Sequence, residues 1–203
     1  MLTHKPMLDN LKNYDIVLMS GSPRRRELLA RLGLTFTVGR SNIDEVCPEG
    51  LQYRDIPMYL SRLKAEHCEP AMTGSNLVIA ADTIVWCNNE VLGKPSTDEE
   101  ACAMLSKLSG RQHSVVTGVT LRTAACLRSF YAETIVTFAE LTPDEINYYV
   151  DTFHPIDKAG AYGIQEWIGM IGVREIRGSY YNVMGLPLHR LYNELKKIEP
   201  LCC

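Results

Sequence analysis

Apolar and polar positions follow two periods along the chain, and their succession predicts strands and helices in turn. The near-continuous apolar run at residues 76–87 is typical of a buried strand, whereas the alternation at residues 113–122 indicates a strand with one buried face. Asn88 and Asn89 favour a hairpin turn after the first of these. Strands are expected over residues 16–20, 34–40, 76–87, 90–94, 113–122, 130–141 and 169–183.

Helical periodicity fills much of the chain between these strands. Thr97 and Glu100 have the spacing of a capping box, and Thr142 with Glu145 repeats this helix start. Gly110 suits the end of the first of these helices. Helices are expected over residues 22–32, 55–69, 96–110 and 185–198, and from residue 142 onward.

The order of these elements predicts an α/β fold class. Helices interleave with strands, but short turns join several strands, so a mixed central β-sheet flanked by helices fits better than an all-parallel sheet. The sequence shows no internal repeat, low-complexity segment or linker. We interpret it as one domain over residues 14–198, with a polar N-terminal extension at 1–13 and a C-terminal tail at 199–203.

The helix that begins after Ser22 has an unusual charge pattern. Ser22 suits the N-cap and Pro23 suits the first helical position. Arg24, Arg25 and Arg26 nevertheless occupy the first turn, where each cation costs about 0.3–1 kcal/mol against the helix dipole. A polyphosphate would offset this cost, because guanidinium groups and free backbone N–H groups both bind phosphate oxygens. The alternative is a solvated arginine cluster paired with surface acids.

The composition of the chain limits which ligands it is expected to bind and where in the cell it is expected to lie. The 203 residues are 46% hydrophobic with a net charge of −3, so there is no general basic field for nucleic acid. The N-terminal stretch has no apolar core of signal-peptide length, and no run is long enough to span a membrane. Seven cysteines without a C-x-x-C pair favour free thiols. We expect a cytoplasmic protein that binds neither nucleic acid nor a membrane.

Asp82 lies inside an apolar strand, where an unpaired carboxylate is unfavourable. It is interpreted as a general base or as a ligand of a hard cation such as Mg²⁺. The alternative is a structural aspartate with a satisfied partner at a strand end or bulge.

Four other side chains are weaker candidates when taken singly. Lys94 follows the hairpin in a Gly-Lys-Pro sequence that does not match a P-loop, so it is either a point charge for a phosphate or a solvated lysine. Lys64 could equally be an exposed helix lysine, and Glu45 a loop acid. Gln165 could bind a base edge, because its amide both donates and accepts, or it could belong to a tight structural loop at residues 154–165.

These motifs together resemble the Maf-like nucleotide pyrophosphatase family. The similarity runs from about residue 16 to residue 196, through SGSPRRRELL, IDE, LKAE, AADTIV, LGKP, LSGRQHSVVTGV, DKAGAYGIQ and GSYYNVMGLP. The S-x-S-P-R-R opening combined with A-D-T and G-K-P is highly specific. The resemblance implies two lobes around a central cleft, a frequent homodimer, and hydrolysis of nucleoside triphosphates to monophosphates and pyrophosphate with Mg²⁺ or Mn²⁺.

The resemblance also implies roles for particular residues. Asp82 matches the proton acceptor, and Thr83 and Gln165, with Arg24, match positions that mark a branch preferring dTTP and UTP. By position it implies substrate contacts from Ser20, Arg24, Arg25, Lys64, Lys94, Thr83 and Gln165, and metal contacts from Glu45 and Asp82.

We therefore expect a housecleaning enzyme that removes unwanted dTTP, UTP or modified pyrimidine nucleotides. One alternative is a nucleotide-binding regulator of cell division or septum formation without essential turnover. It would need the arginines but not the acids, so Asp82 and Glu45 favour the enzyme. A second alternative, a basic-patch nucleic-acid binder, is disfavoured by the net charge of −3.

Overall fold

The computed structural model describes residues 7–40, 46–68 and 74–200, and within them seven strands form one mixed sheet. The strands are β1 (Asp15–Met19), β2 (Thr37–Gly39), β3 (Asn76–Cys87), β4 (Glu90–Leu92), β5 (Gln112–Arg122), β6 (Leu127–Phe138) and β7 (Val173–Arg177). The α-helices are α1 (Pro23–Arg31), α2 (Asp55–Glu66), α3 (Asp98–Leu108), α4 (Pro143–Phe153), α5 (Trp167–Gly172), α6 (Tyr180–Val183) and α7 (Leu188–Leu195). Short 3-10 turns lie at Asp9–Leu11, Pro155–Asp157 and Ala159–Ala161. Among the described helices, none combines the length and the apolar character needed to cross a membrane.

β3 organises the sheet. On one edge it pairs in parallel with β1 and, through the predicted hairpin, antiparallel with β4. On its other edge it pairs antiparallel with β5. β2 extends the sheet beyond β1 in parallel, and β6 and β7 extend it beyond β5 antiparallel. The predicted mixed α/β architecture is confirmed.

The edge of β3 that carries β1 and β4 has a gap. β1 pairs with residues 76–80 and β4 with residues 85–87, so among the described residues no strand pairs with residues 81–84 on this edge. β1 ends beside this gap and leads into α1. Ligands of α/β proteins bind at such places, beyond the carboxyl end of a parallel strand.

The odd-numbered positions of β3 face two apolar clusters. Leu77 and Ile79 belong to a cluster that includes α1 and α7. Val85 and Cys87 belong to a second cluster that includes α3 and α4. Thr83 lies between them, because successive side chains alternate across a strand. The two clusters are the cores of the two expected lobes.

The even-numbered positions of β3 face α2. Ala65 of this helix packs against this face, and Lys64 meets Asp82. Gly118, opposite Asp82 on β5, permits the close approach of α2, since a Cβ there would lie 2.2 Å from the carbonyl oxygen of Pro57. The absence of a side chain at residue 118 therefore helps to place Lys64.

The predicted capping boxes have different outcomes. At α4 both bonds are present, since Thr142 and Glu145 each accept from the backbone N–H of the other. At α3, Thr97 Oγ1 accepts from the N–H of Glu100, but the Glu100 carboxylate accepts from the N–H of Ser96. The box predicted for α3 is therefore only half formed.

The predicted strand over residues 169–183 is wrong for most of its length. Only β7 is extended, and it is preceded by α5 and followed by α6. Ser179 caps α6 by accepting from the N–H of Asn182, and Gly169 lies where a Cβ would be 2.0 Å from the carbonyl oxygen of Ile164. Apolar runs this short do not distinguish a strand from a helix by their period.

Candidate active site

A cavity of about 910 Å³ opens at the gap along β3. It lies between the N-terminus of α1, one face of α2 and the segment 157–165. Glu45 lies outside the described residues. The other eight predicted site residues all line the cavity: Ser20, Arg24, Arg25, Lys64, Asp82, Thr83, Lys94 and Gln165. The structure thus brings the four predicted cationic side chains and the predicted carboxylate of Asp82 to one cavity.

α1 begins at this cavity as the sequence predicts. Ser22 is the N-cap and its Oγ accepts from the backbone N–H of Arg25, with Pro23 as the first helical residue. The helix is followed by Gly33 in the left-handed conformation, with φ of 77°. Arg24 and Arg25 of the first turn line the cavity, whereas the exposed Arg26 is not among its lining residues.

The guanidinium of Arg25 is held by neutral oxygens. Its Nε donates to the carbonyl of Gly185 at 2.8 Å, Nη1 to Ser20 Oγ at 3.3 Å and Nη2 to Thr83 Oγ1 at 2.9 Å. Ser20 Oγ also accepts from the N–H of Ser22 at 3.2 Å. These contacts fix the direction of the Arg25 side chain at the cavity wall.

Arg24 is held differently, by a carboxylate. Its Nη1 lies 2.7 Å from Asp157 Oδ2, and the two side chains are 23% and 51% exposed. Burial raises the pKa of Asp157, but hydrogen bonds from Lys158 and Arg24 outweigh it and leave that pKa below its usual value. Asp157 is therefore a carboxylate at neutral pH.

Lys158 extends this contact into the interior. It is buried, with Nζ 2.7 Å from Asp157 Oδ1 and 3.1 Å from Glu166 Oε1. Glu166 Oε2 accepts from the hydroxyl of Tyr149, which itself accepts from the N–H of Gly163 at 3.0 Å. Burial and then the bond to Glu166 raise the pKa of Tyr149, so its hydroxyl remains a donor. We call this series of ion pairs the ionic chain: Arg24, Asp157, Lys158 and Glu166.

Lys64 and Asp82 form an almost enclosed ion pair. Nζ of Lys64 lies 2.7 Å from Asp82 Oδ1, and the side chains are 10% and 13% exposed. Asp82 stands in the middle of β3 and has a cationic partner. The pair satisfies the aspartate and also orients its carboxylate at the cavity.

Gln165 and Lys94 lie at the other side of the cavity. Among the described residues, Gln165 Oε1 is buried without a hydrogen-bond partner, which is uncommon for an amide oxygen. The exposed Lys94 follows Gly93, whose carbonyl accepts from the N–H of Gly160 at 2.9 Å. The loop of Lys94 therefore contacts the segment that carries Gln165.

Sequence reasoning missed several residues that pair with the cavity residues or connect to them. The segment 154–165 is indeed tight, since Gly160 has φ of 69° and its Cβ would lie 2.9 Å from Val85. It also carries Lys158, and a lysine beside an aspartate among glycines was the available signal. The missed residues are Thr117, Tyr149, Asp157, Lys158, Glu166 and Asn182.

The described cysteines are free thiols, as expected. Burial raises the pKa of the thiols of Cys68, Cys87 and Cys102. These three therefore stay neutral at physiological pH.

The sequence comparisons give a consistent result. The sequence model of the family described as Maf-like protein matches residues 15–198. A protein of Phocaeicola vulgatus named dTTP/UTP pyrophosphatase is 53% identical over 193 residues, covering 95% of this chain and 100% of its own length. A protein of the same name from Parabacteroides distasonis is 54% identical over 191 residues, covering 94% and 99%. Among solved structures, the Staphylococcus aureus Ham1 protein aligns with a TM-score of 0.48 at 18% identity, covering 90% of this chain and 98% of its own.

Proposed function

Because the chain belongs to the Maf-like protein family, we propose that it is a nucleoside triphosphate pyrophosphatase that hydrolyses dTTP and UTP. The products would be the monophosphate and pyrophosphate, and the role would be removal of unwanted nucleotides from the pool. The observation that carries the proposal is the cavity at the gap along β3, which Arg24, Arg25, Lys64 and Lys94 line together with Asp82. Relatives about 50% identical over almost their whole length are named dTTP/UTP pyrophosphatase, which supports it.

The phosphate tail would lie against the N-terminus of α1. Backbone N–H groups and the helix dipole favour an anion there, and Arg24, Arg25, Lys64 and Lys94 supply positive charge around it. Pyrophosphate gains charge as it leaves, so fixed cations stabilise the transition state more than the ground state. This arrangement also offsets the cations at the start of α1.

Asp82 would act on the water that attacks the α-phosphorus. The water's oxygen forms the new bond to phosphorus, the bond from phosphorus to the bridging oxygen breaks, and pyrophosphate leaves. As the general base, Asp82 takes the proton of the water. Lys64, which donates to Oδ1, holds the carboxylate in place for this transfer.

A divalent metal is part of this proposal, and the donor set is compatible with one. Mg²⁺ in phosphoryl-transfer sites is held by one or two carboxylates together with substrate phosphate oxygens. Asp82 is a carboxylate of the cavity that fits this role, and Glu45 would be the second. Mg²⁺ or Mn²⁺ would supply neutralisation of phosphate charge and acidification of water. Whether Asp82 serves mainly as base or as ligand, its removal abolishes the same reaction.

Gln165 would select the base. Gln165 lines the cavity, and its buried Oε1 has no partner in the described part of the chain, so turning this amide toward a ligand N–H would satisfy it. The imide edge of uracil and thymine offers an N–H donor between carbonyl acceptors, which matches an amide that donates and accepts. Adenine presents no imide, so its nucleotides would bind less well.

Pyrophosphate release from a panel of nucleotides with Mn²⁺ or Mg²⁺ tests the proposal. We expect comparable kcat/KM for dTTP and UTP, and values at least about tenfold lower for ATP and GTP. ATP as the best substrate would contradict the assignment of Gln165. Binding of UTP without release of pyrophosphate would favour the nucleotide-binding regulator.

A further inference from the structure

A row of hydrogen bonds leads from Arg25 into the sheet. Thr83 Oγ1, which accepts from Arg25, lies 2.9 Å from the Oγ1 of Thr117, its neighbour on β5. Thr117 Oγ1 lies 3.2 Å from the backbone carbonyl oxygen of Asn182. Thr117 and Asn182 are fully buried. We call this series the hydroxyl chain: Arg25, Thr83, Thr117 and the carbonyl of Asn182.

The direction of every bond in the hydroxyl chain is fixed. The carbonyl of Asn182 can only accept, so the single hydroxyl hydrogen of Thr117 is donated to it. Thr83 must then donate its own hydrogen to Thr117, and it accepts from the guanidinium of Arg25. As a result, Thr83 cannot donate to a nucleotide base without breaking the chain.

The inner end of the hydroxyl chain is anchored. Nδ2 of Asn182 donates to the carbonyl of Val115 and to Thr134 Oγ1, both at 3.0 Å, and its N–H donates to Ser179 Oγ. These bonds hold the carbonyl of Asn182 where Thr117 needs an acceptor. The chain also lies between the two apolar clusters of the lobes, where hydrogen bonds are stronger than in water.

We propose that Thr117 is a positioning residue for Arg25, acting through Thr83, and that Thr83 acts on the phosphate tail through Arg25. The inference rests on the proposed function only in assigning the anion to a nucleotide. An arginine held in its productive direction pays less entropy on binding phosphate. Loss of the Thr117 hydroxyl leaves Thr83 without its acceptor and releases this constraint on Arg25.

The first test compares substitutions of two buried threonines of β5. Thr117→Val should lower kcat/KM for UTP about tenfold, with a rise in KM, because Arg25 holds phosphate in the ground state as well as in the transition state. Thr117→Ser restores the hydroxyl and should stay within about twofold of the original protein. Thr120→Val is the matched control, since Thr120 is equally buried but its hydroxyl bonds Ser61 and Ser129.

The second test separates phosphate binding from base selection. The inhibition constant of pyrophosphate, which has no base, should rise in Thr117→Val and in Thr83→Val together with KM for UTP. The ratio of kcat/KM for UTP to that for CTP should stay within about twofold. Combining the two substitutions should add little, because either one already breaks the chain.

Three results would overturn the proposal. They are an unchanged pyrophosphate constant in Thr117→Val, an equal loss in Thr120→Val, and a changed UTP-to-CTP ratio with normal pyrophosphate inhibition in Thr83→Val. If thermal unfolding shows that Thr117→Val is not folded, the pyrophosphate inhibition constant and KM for UTP are measured in Thr83→Val and Thr117→Ser instead. If the original protein does not hydrolyse UTP, the proposed function fails, and calorimetric binding of pyrophosphate to these variants still decides the role of Thr117.

Discussion

Arg24 and Arg25 are neighbours in the first turn of α1, yet the structure holds them in opposite ways. Arg25 belongs to the hydroxyl chain, whose other members are neutral and whose inner end, at Thr117 and Asn182, is buried. Arg24 belongs to the ionic chain and pairs with a carboxylate that is 51% exposed. Arg25 thus donates to neutral oxygens of Ser20, Thr83 and Gly185, whereas Arg24 donates to a carboxylate at the cavity.

This difference indicates a division of labour. Hydrogen bonds to neutral oxygens fix the direction of Arg25 without neutralising its charge, so Arg25 can stay in place when substrate binds. The contact of Arg24 with Asp157 is an accessible ion pair, and such pairs are weak and exchangeable. We therefore expect Arg24 to change partner on substrate binding and Arg25 to keep its partners.

The largest effect on activity should come from substituting Asp82, which lies on the face of β3 opposite the hydroxyl chain. Asp82→Asn keeps an oxygen to accept from Lys64 but removes the carboxylate proposed as base or metal ligand, so kcat for UTP should fall at least about 100-fold. Asp15→Asn on β1 is the control, because that carboxylate bonds Ser75 outside the cavity. The rate of pyrophosphate release is measured for both folded variants. Near-normal turnover in Asp82→Asn would remove Asp82 from the mechanism.

Much of the cavity could be predicted because its signals are local. A helix start with unfavourable charge is predicted by Ser22, Pro23 and the arginines that follow them. Asp82 is predicted as a site residue because it is a carboxylate inside an apolar run. Both chains, in contrast, depend on contacts between distant segments. Thr83 meets Thr117 because of the register between β3 and β5, which the sequence does not state. The alternation of apolar and polar positions predicts two strands but not which residues stand opposite each other.

The same limit explains where the predicted secondary structure differs from the structure. The complete helix start at Thr142 was predictable because its partners are three residues apart. The capping box at Thr97 is half formed because Glu100 bonds Ser96 instead, a choice between adjacent N–H groups. Residues 169–183 contain several short elements, and short elements depend on packing more than on period.

A second prediction concerns how the stability of the fold depends on pH. His113 is buried, with Nε2 2.8 Å from the hydroxyl of Tyr162, and burial lowers its pKa to about 4. His113 binds a proton below about pH 6.5 in the unfolded chain, but only near pH 4 in the folded chain. The neutral, buried His113 is therefore tolerated in full above pH 6.5, and the free energy of unfolding falls by up to about 3 kcal/mol as the pH falls toward 4.

His113→Gln should abolish most of this pH dependence, because an amide does not titrate in this range. The free energy of unfolding, measured by urea at pH 7 and pH 4.5, should differ between the two pH values by about 2 kcal/mol less in this variant. The exposed His189→Gln is the control and should keep the original slope. An unaltered slope in His113→Gln would assign the acid sensitivity elsewhere.

The smallest expected effect on activity comes from a substitution that breaks the ionic chain. If substrate phosphate displaces Asp157 from Arg24, Asp157→Asn removes a competitor, and KM for UTP should fall about two- to fivefold, the range for an accessible ion pair. kcat should change less than about twofold, because Lys158 keeps its contact with Glu166. Asp151→Asn, an exposed carboxylate on α4, is the control for net charge. A rise in KM would mean that Asp157 instead holds Arg24 ready for phosphate, and the two arginines would then be alike in being prepositioned, one by a carboxylate and one by hydroxyls.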